Sequence, residues 1–241
     1  MDDDLAWVKR QAWFYEFALP DGSRTQCYVP EAVRAIHATR EKVLRHYLQR
    51  LGTSGSALDV ACHEGLFSLV LAEHCASVTG IDRNPDSVEK ARRISRLLGR
   101  GDIRFETEAI ESWRGGTVDF VLCFGLLYHA ENPIQIIRKL AALAGRALCI
   151  ETQVLPYDIS GRIEDGSYQW QRDLNGLFGV CADYPDRSEG GMTGIALVPS
   201  RAAVEFLLGH FGFAKIEVYA PSPGDYEQFV RGSRIIVIAE R

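Results

Sequence analysis

The 241-residue sequence has no run approaching the 18 or more apolar residues of a membrane span, and its start, MDDDLAWVKR, is acidic where an export signal would be basic and then apolar. A cytoplasmic, soluble chain with no membrane partner is expected. A basic excess is also lacking: a net charge of −5 and a pI near 5.7 give no global field that would draw the protein to nucleic acid or anionic lipid. The six cysteines, at 27, 62, 75, 123, 149 and 181, form no C-x-x-C pair, which fits reduced, buried thiols. Two Cys-His neighbours, Cys62-His63 and His74-Cys75, fall at opposite ends of an expected helix. At ~1.5 Å per residue those ends are too far apart to share one ion, so no metal site is expected. Internal repeats and low-complexity runs are absent.

What is present suits one large α/β domain with additions. Residues 30–52 place Val33, Ile36, Val43, Leu44, Tyr47, Leu48 and Leu51 on one helical stripe between a proline and a glycine. Before it, WFYEFALPDGSRTQCYV alternates aromatic and polar residues around a Pro-Asp-Gly turn, which predicts a short strand or hairpin with exposed aromatics. From residue 56, ALDVA, SVTGID, IRFET, VDFVLCF and RALCIET read as strands, with helices starting near 65, 84 and 133. That alternation predicts parallel pairing through right-handed crossovers. A helix over PSRAAVEFLLGHFG and two last strands, FAKIEVYA and SRIIVIAE, predict an antiparallel hairpin at one sheet edge. The expected fold is a doubly wound, mostly parallel seven-stranded sheet. Residues 1–52 form an extension and helix, 53–152 and 200–241 the core, and 153–199 an irregular insertion expected to cap the carboxyl edge.

In such sheets ligands bind beyond the carboxyl ends of the first strands. Asp59 lies in the first strand, the loop Ala61-Cys62-His63-Glu64-Gly65 follows, and Asp82 ends the second strand. An acid at that place accepts hydrogen bonds from both hydroxyls of a ribose, so the pair marks a nucleoside site. The loop lacks G-x-G-x-x-G, which disfavours a pyrophosphate and hence a nicotinamide oxidoreductase.

LDVACHEG followed by VTGIDRNPDSVEKAR resembles the cofactor motifs of class I S-adenosylmethionine (SAM)-dependent methyltransferases, whose usual loop is D-x-G-C-x-x-G. The likeness continues through IRFETEAIESW, VDFVLCFGLLYHAENP and RALCIET to the terminal hairpin. It implies a Rossmann-like methyltransferase that uses SAM and releases S-adenosylhomocysteine (SAH). By the same resemblance the loop Ala61-Cys62-His63-Glu64-Gly65 would pass the methionine part, with Asp59 below it reaching the amino group through water, and Asp82 would bind the ribose. Arg83, Glu108 and Ala109 would meet the adenine, and Phe124 and Gly125 the methionine chain. Ala61 and His63 stand where glycine is commonest; Ala61 is a mild change if φ stays negative, whereas a positive φ at His63 would be strained.

The methyl of SAM is already activated, so a base is needed only if the attacking atom begins protonated. At the end of the fourth strand His129 is a candidate general base and Tyr128 a candidate cofactor or substrate contact; alternatively both pack the start of the next helix. The stretch GLLYHAENPIQIIRKLAALAGRALCIET, with LVPSRAAVEFLLGHFGF, is similar to bacterial tRNA wobble-uridine carboxymethyltransferases and their relatives. Those enzymes use carboxy-SAM and an arginine just before the Pro-Ser segment. Here that stretch is GGMTGIALVPS, without arginine, so plain SAM is expected. Arg92, Arg93, Arg96, Arg100 and Arg104 could form a phosphate-binding face, although a solvated helix surface is the commoner arrangement. Trp7, Trp13, Phe14 and Tyr15, with Tyr168, Trp170 and Arg172, either enclose a small acceptor or form a satellite core. The expected activity is methyl transfer to a small-molecule or glycan acceptor, most readily at oxygen and without a metal. A tRNA methyltransferase and a non-catalytic SAM-binding protein are the alternatives.

Overall fold

The computed structural model describes residues 2–52, 55–165, 170–184 and 193–241. In chain order its elements are α1 (Asp2–Arg10), β1 (Ala12–Trp13), β2 (Gln26–Cys27), α2 (Glu31–Leu51), β3 (Ser56–Val60), α3 (Leu66–Ala72) and β4 (Ser77–Asp82). Then come α4 (Pro85–Leu97), β5 (Arg104–Thr107), β6 (Val118–Phe124), a 3-10 turn (Leu127–His129), α5 (Pro133–Leu143) and β7 (Ala144–Gln153). The remainder is β8 (Ser160–Asp165), β9 (Trp170–Asn175), β10 (Phe178–Ala182), β11 (Ile195–Pro199), α6 (Arg201–His210), β12 (Lys215–Val218), α7 (Glu227–Val230) and β13 (Arg234–Glu240).

Seven strands form the central sheet in the order β12-β13-β7-β6-β3-β4-β5. The five strands from β5 to β7 are parallel, and β13 pairs antiparallel with both β7 and β12. Strand periodicity sends alternate residues to opposite faces. In β6, Phe120, Leu122 and Phe124 join the core under α2, α3 and α4, while Val121 and Cys123 join the core under α5 and α6. Chain order reverses at β3, whose neighbours are β4 and β6, and this switch opens a crevice at the carboxyl edge. Register aligns that edge: Asp82 faces Thr107, Phe124 faces Glu151, and the first residue of antiparallel β13, Arg234, arrives beside them opposite Gln153.

Capping chemistry sets the helix limits. Asn84 Oδ1 accepts the Asp86 N–H at 3.0 Å with Pro85 as the first residue of α4, and Ser200 Oγ accepts the Ala203 N–H at 3.3 Å at the start of α6. Helix α2 starts after Pro30 and ends at Gly52 in the left-handed conformation. Among the described residues no helix is long and apolar enough to cross a membrane.

Three expectations need correction. Of the N-terminal aromatics only Tyr28 is exposed: Trp13, Tyr15 and Phe17 alternate inward and are buried, with Trp13 Nε1 donating to the Val8 carbonyl at 2.9 Å. A helix, α1, precedes them, and β1 pairs with β2 in parallel while the Pro-Asp-Gly turn closes only the bridge Ala18–Arg24. The stripe on α2 is also shifted. Val33 is exposed, whereas His37 and Arg40 are buried beside Ile36 and Val43. Finally, 153–199 is not irregular throughout, because β8–β9 and β10–β11 are antiparallel ladders. Polar sequences such as SGRIED hide a strand from a reading based on apolar alternation.

Candidate active site

Between β3 and the 3-10 turn lies a cavity of about 350 Å³, within the range of small-molecule sites. Its floor is the loop after β3. Ala61, His63 and Gly65 have φ of 58°, 50° and 84°, so three alternate residues adopt the left-handed conformation. The mild reading of Ala61 is therefore overturned: both non-glycine residues carry strain on the order of 1–3 kcal/mol each. Gly65 is required twice over, because a Cβ there would lie 3.0 Å from the Phe105 ring and 3.1 Å from Ala91 Cβ. What holds the loop is its acids. Asp82 Oδ2 accepts the His63 N–H at 2.9 Å and Oδ1 accepts the Asn84 N–H at 2.8 Å. Each oxygen keeps a further acceptor position, and the carboxylate faces the cavity.

Glu64, fully buried, ties the N-terminal segment over the loop. Its Oε2 accepts the N–H groups of Phe14 and Tyr15 at 2.9 and 3.0 Å, and its Oε1 accepts from Lys90 Nζ at 2.9 Å. Phe14 and Tyr15 thereby enter the cavity wall, while Trp7 and Trp13 pack elsewhere, under Arg93 and Lys90. Phe14 also lies 4.9 Å, centroid to centroid, from the His63 ring and 5.0 Å from His37. His63 thus contributes a backbone bond to Asp82 and an aromatic contact. Burial, reinforced by the charge of Arg40, lowers His37 to about 3, so this imidazole is neutral.

Of the residues expected to touch a cofactor, Ala61, His63, Asp82, Arg83, Glu108, Ala109, Phe124 and Gly125 line the cavity. Asp59, Cys62 and Gly65 do not. Asp59 is buried under the loop, where Ser68 Oγ donates to it at 2.6 Å, and burial raises its carboxyl to about 7. Cys62 points into the core, where burial pushes its thiol up, and Gly65 is covered by Phe105 and Ala91. Tyr128 and His129 both line the wall, with their rings 4.3 Å apart.

Arg40, Glu151, Glu64 and Asp183 were not foreseen from the sequence. Glu151, fully buried, accepts from Arg40 Nη2 at 2.5 Å and from Arg234 Nη1 at 2.6 Å, so two buried guanidinium groups share one carboxylate. Arg40 lines the cavity, and its buried Nε has no hydrogen-bond partner. Arg234 stacks on the Tyr128 ring at 4.7 Å. A charged residue four positions from Ile36 and three from Val43 on an apolar stripe was a readable signal for Arg40. For Asp183, which meets His129 Nδ1 at 3.1 Å from the insertion, no local signal exists.

The five candidate phosphate-binding arginines are engaged within the chain. Arg92 donates to the Phe105 carbonyl, Arg93 pairs with Glu89 and Asp4, Arg96 with Asp4, Arg100 with Asp102, and Arg104 with Glu106. Among the described residues of the insertion, Thr193 lines the cavity and Arg172 does not. Tyr168 lies outside the described residues, and Trp170 is placed only by its backbone in β9. No group of three or more possible metal ligands occurs among the described residues.

A family model described as "Methyltransferase domain" matches residues 52–181, just over half of the chain. A ubiquinone biosynthesis O-methyltransferase of Xanthomonas axonopodis pv. citri (strain 306) is 35% identical over 113 residues, covering 46% of this chain and 47% of that protein. The match thus spans about half the length of such curated relatives. Among solved structures, the N-terminal domain of EvdMO1 with SAH bound superposes with a TM-score of 0.74 at 16% identity, covering 99% of this chain and 95% of that one. Magnesium protoporphyrin IX methyltransferase from Synechocystis PCC 6803 with bound SAM gives 0.61 at 19% identity, covering 100% and 90%. At such identities the likeness is one of fold.

Proposed function

The chain belongs to the methyltransferase-domain family, and we propose that its cavity binds SAM and presents a hydroxyl of a small-molecule or glycan acceptor to it, without a metal. When bound, SAM supplies a methyl group activated by a sulfonium. The observation that carries this reading is one cavity lined by both a carboxylate set for a ribose, Asp82, and an imidazole, His129. Glu108, Ala109 and Ile110 border the side of the cavity next to Asp82 and fit an adenine edge. Arg40, with a buried N–H lacking a partner, fits the carboxylate of an amino acid chain passing Phe124 and Gly125. Asp59 and Gly65 act from beneath, by shaping the loop.

A hydroxyl is a poor nucleophile until its proton leaves, which gives His129 its task. With SAM bound as the methyl donor, His129 would take up the proton that the acceptor hydroxyl gives up on methylation and would end as an imidazolium. Alignment of the acceptor along the carbon–sulfur axis, with water excluded, contributes on the order of 7–11 kcal/mol to lowering the barrier. Tyr128, its ring held under Arg234, forms the side wall.

The cavity is also lined by Glu111, Glu131 and Asn132, and this acidic border disfavours a phosphate-bearing acceptor. With the five arginines between positions 92 and 104 engaged within the chain, a small uncharged acceptor is preferred to tRNA. The oxygen preference agrees with the activity named for the Xanthomonas relative. A direct test incubates the protein with methyl-labelled SAM and, separately, catechol, a free hexose or unfractionated tRNA. Label in catechol or hexose, with matching release of SAH, is expected. Label only in tRNA would favour the nucleic-acid alternative; cofactor binding with no label in any acceptor would favour the non-catalytic one.

A further inference from the structure

We propose that Asp183, supplied by the insertion, is a positioning residue that holds His129 with its proton on Nδ1 and leaves Nε2 as the atom that receives the acceptor proton. The inference rests on the reading of His129 as a base, and it adds a reason for the insertion to exist beyond covering the cavity.

The contact joins segments 54 residues apart: Asp183 Oδ2 lies 3.1 Å and Oδ1 3.3 Å from His129 Nδ1. Both side chains are largely withdrawn from water, at 24% exposure for His129 and 11% for Asp183. Backbone bonds place each partner independently of the contact. Asp183 extends the β10–β11 ladder through its N–H to the Gly194 carbonyl at 3.0 Å, and the Tyr184 N–H donates to its Oδ1 at 2.9 Å. On the other side the Leu197 N–H of β11 donates to the Ala130 carbonyl at 2.9 Å, fastening the ladder to the turn that carries His129. The ladder and the imidazole are therefore one assembly.

An ionised carboxylate only accepts hydrogen bonds, so a neutral imidazole beside it must present Nδ1–H. The other ring nitrogen then keeps its lone pair. Without such a partner an imidazole exchanges between tautomers and turns about its side-chain bonds, and a fraction of the enzyme carries the proton on the wrong nitrogen. Asparagine at this place offers an N–H as well as a carbonyl, and so loses the selection. Tyr128, whose ring centre lies 4.3 Å from that of the imidazole, limits its rotation without choosing a tautomer.

The test uses the full chain, labelled with 15N-histidine and saturated with SAH. Long-range proton–nitrogen correlation then reads the His129 tautomer directly. The wild type is expected to favour Nδ1–H by about tenfold or more, the scale of a hydrogen bond to an ionised partner. Asp183→Asn and Asp183→Ala are expected to bring the two tautomers within about threefold of each other, with SAH affinity unchanged within about twofold, and Asp183→Glu to restore the preference. An unaltered tautomer ratio in Asp183→Ala would overturn the proposal and leave Asp183 as a simple fastener of the insertion. The base reading fails on a separate measurement, methyl transfer by His129→Ala. Retained transfer there, with the tautomer shift present, removes the base and not the positioning contact.

Discussion

Glu151→Gln is expected to lower unfolding free energy by about 3–5 kcal/mol, the largest stability change of any single conservative substitution at this site. The side chain is fully buried and stands between Arg40 and Arg234, which are 5% and 4% exposed. An amide preserves the shape and removes the charge, so two guanidinium groups are left facing each other without compensation. Arg40→Met is the informative partner variant, since it leaves Arg234 and Glu151 as a one-to-one pair. Its cost should be roughly half as large, that of one charge-assisted hydrogen bond. Urea unfolding of both variants, with the slope unchanged, gives the comparison. Equal losses would mean that the shared carboxylate is not what balances the cluster.

His129→Ala is expected to slow methyl transfer by about 10²–10⁴-fold, the usual contribution of a positioned general base, while SAH binding changes by no more than about twofold. The imidazole lines the cavity from the 3-10 turn, whereas Asp82 ends β4, so its removal leaves the ribose and adenine contacts in place. Catechol or hexose methylation measured with labelled SAM gives the rate, and calorimetry gives the affinity. A small, equal change in both would make His129 a packing residue of the turn.

The central sheet was legible because its signal is local. VDFVLCF alternates between two cores at the period of a strand, and Asn84-Pro85 and Ser200 announce the helices that follow. The position of Asp82 was legible for the same reason, as a residue ending a strand at a predictable edge, and His129 follows the end of β6 in a 3-10 turn. The correct edge does not reveal which residues meet across it. Glu64 binds backbone N–H groups 49 and 50 residues away, and Arg40 meets Glu151 over 111. These contacts come from tertiary packing, which has no period in the chain. His63 lay between the two cases: the strain was foreseeable from a missing glycine, whereas its bond to Asp82 and its place against Phe14 required the fold.

The proposed methyl transfer requires that Asp82 and its loop form a nucleoside site, and titration calorimetry with SAH tests that claim most directly. The wild type is expected to bind SAH at one site per chain and to bind NAD weakly or not at all. Asp82→Ala should weaken SAH by about 100-fold, the equivalent of losing two hydrogen bonds to a carboxylate. No binding of SAH by the wild type, or equal affinity in the variant, would contradict it.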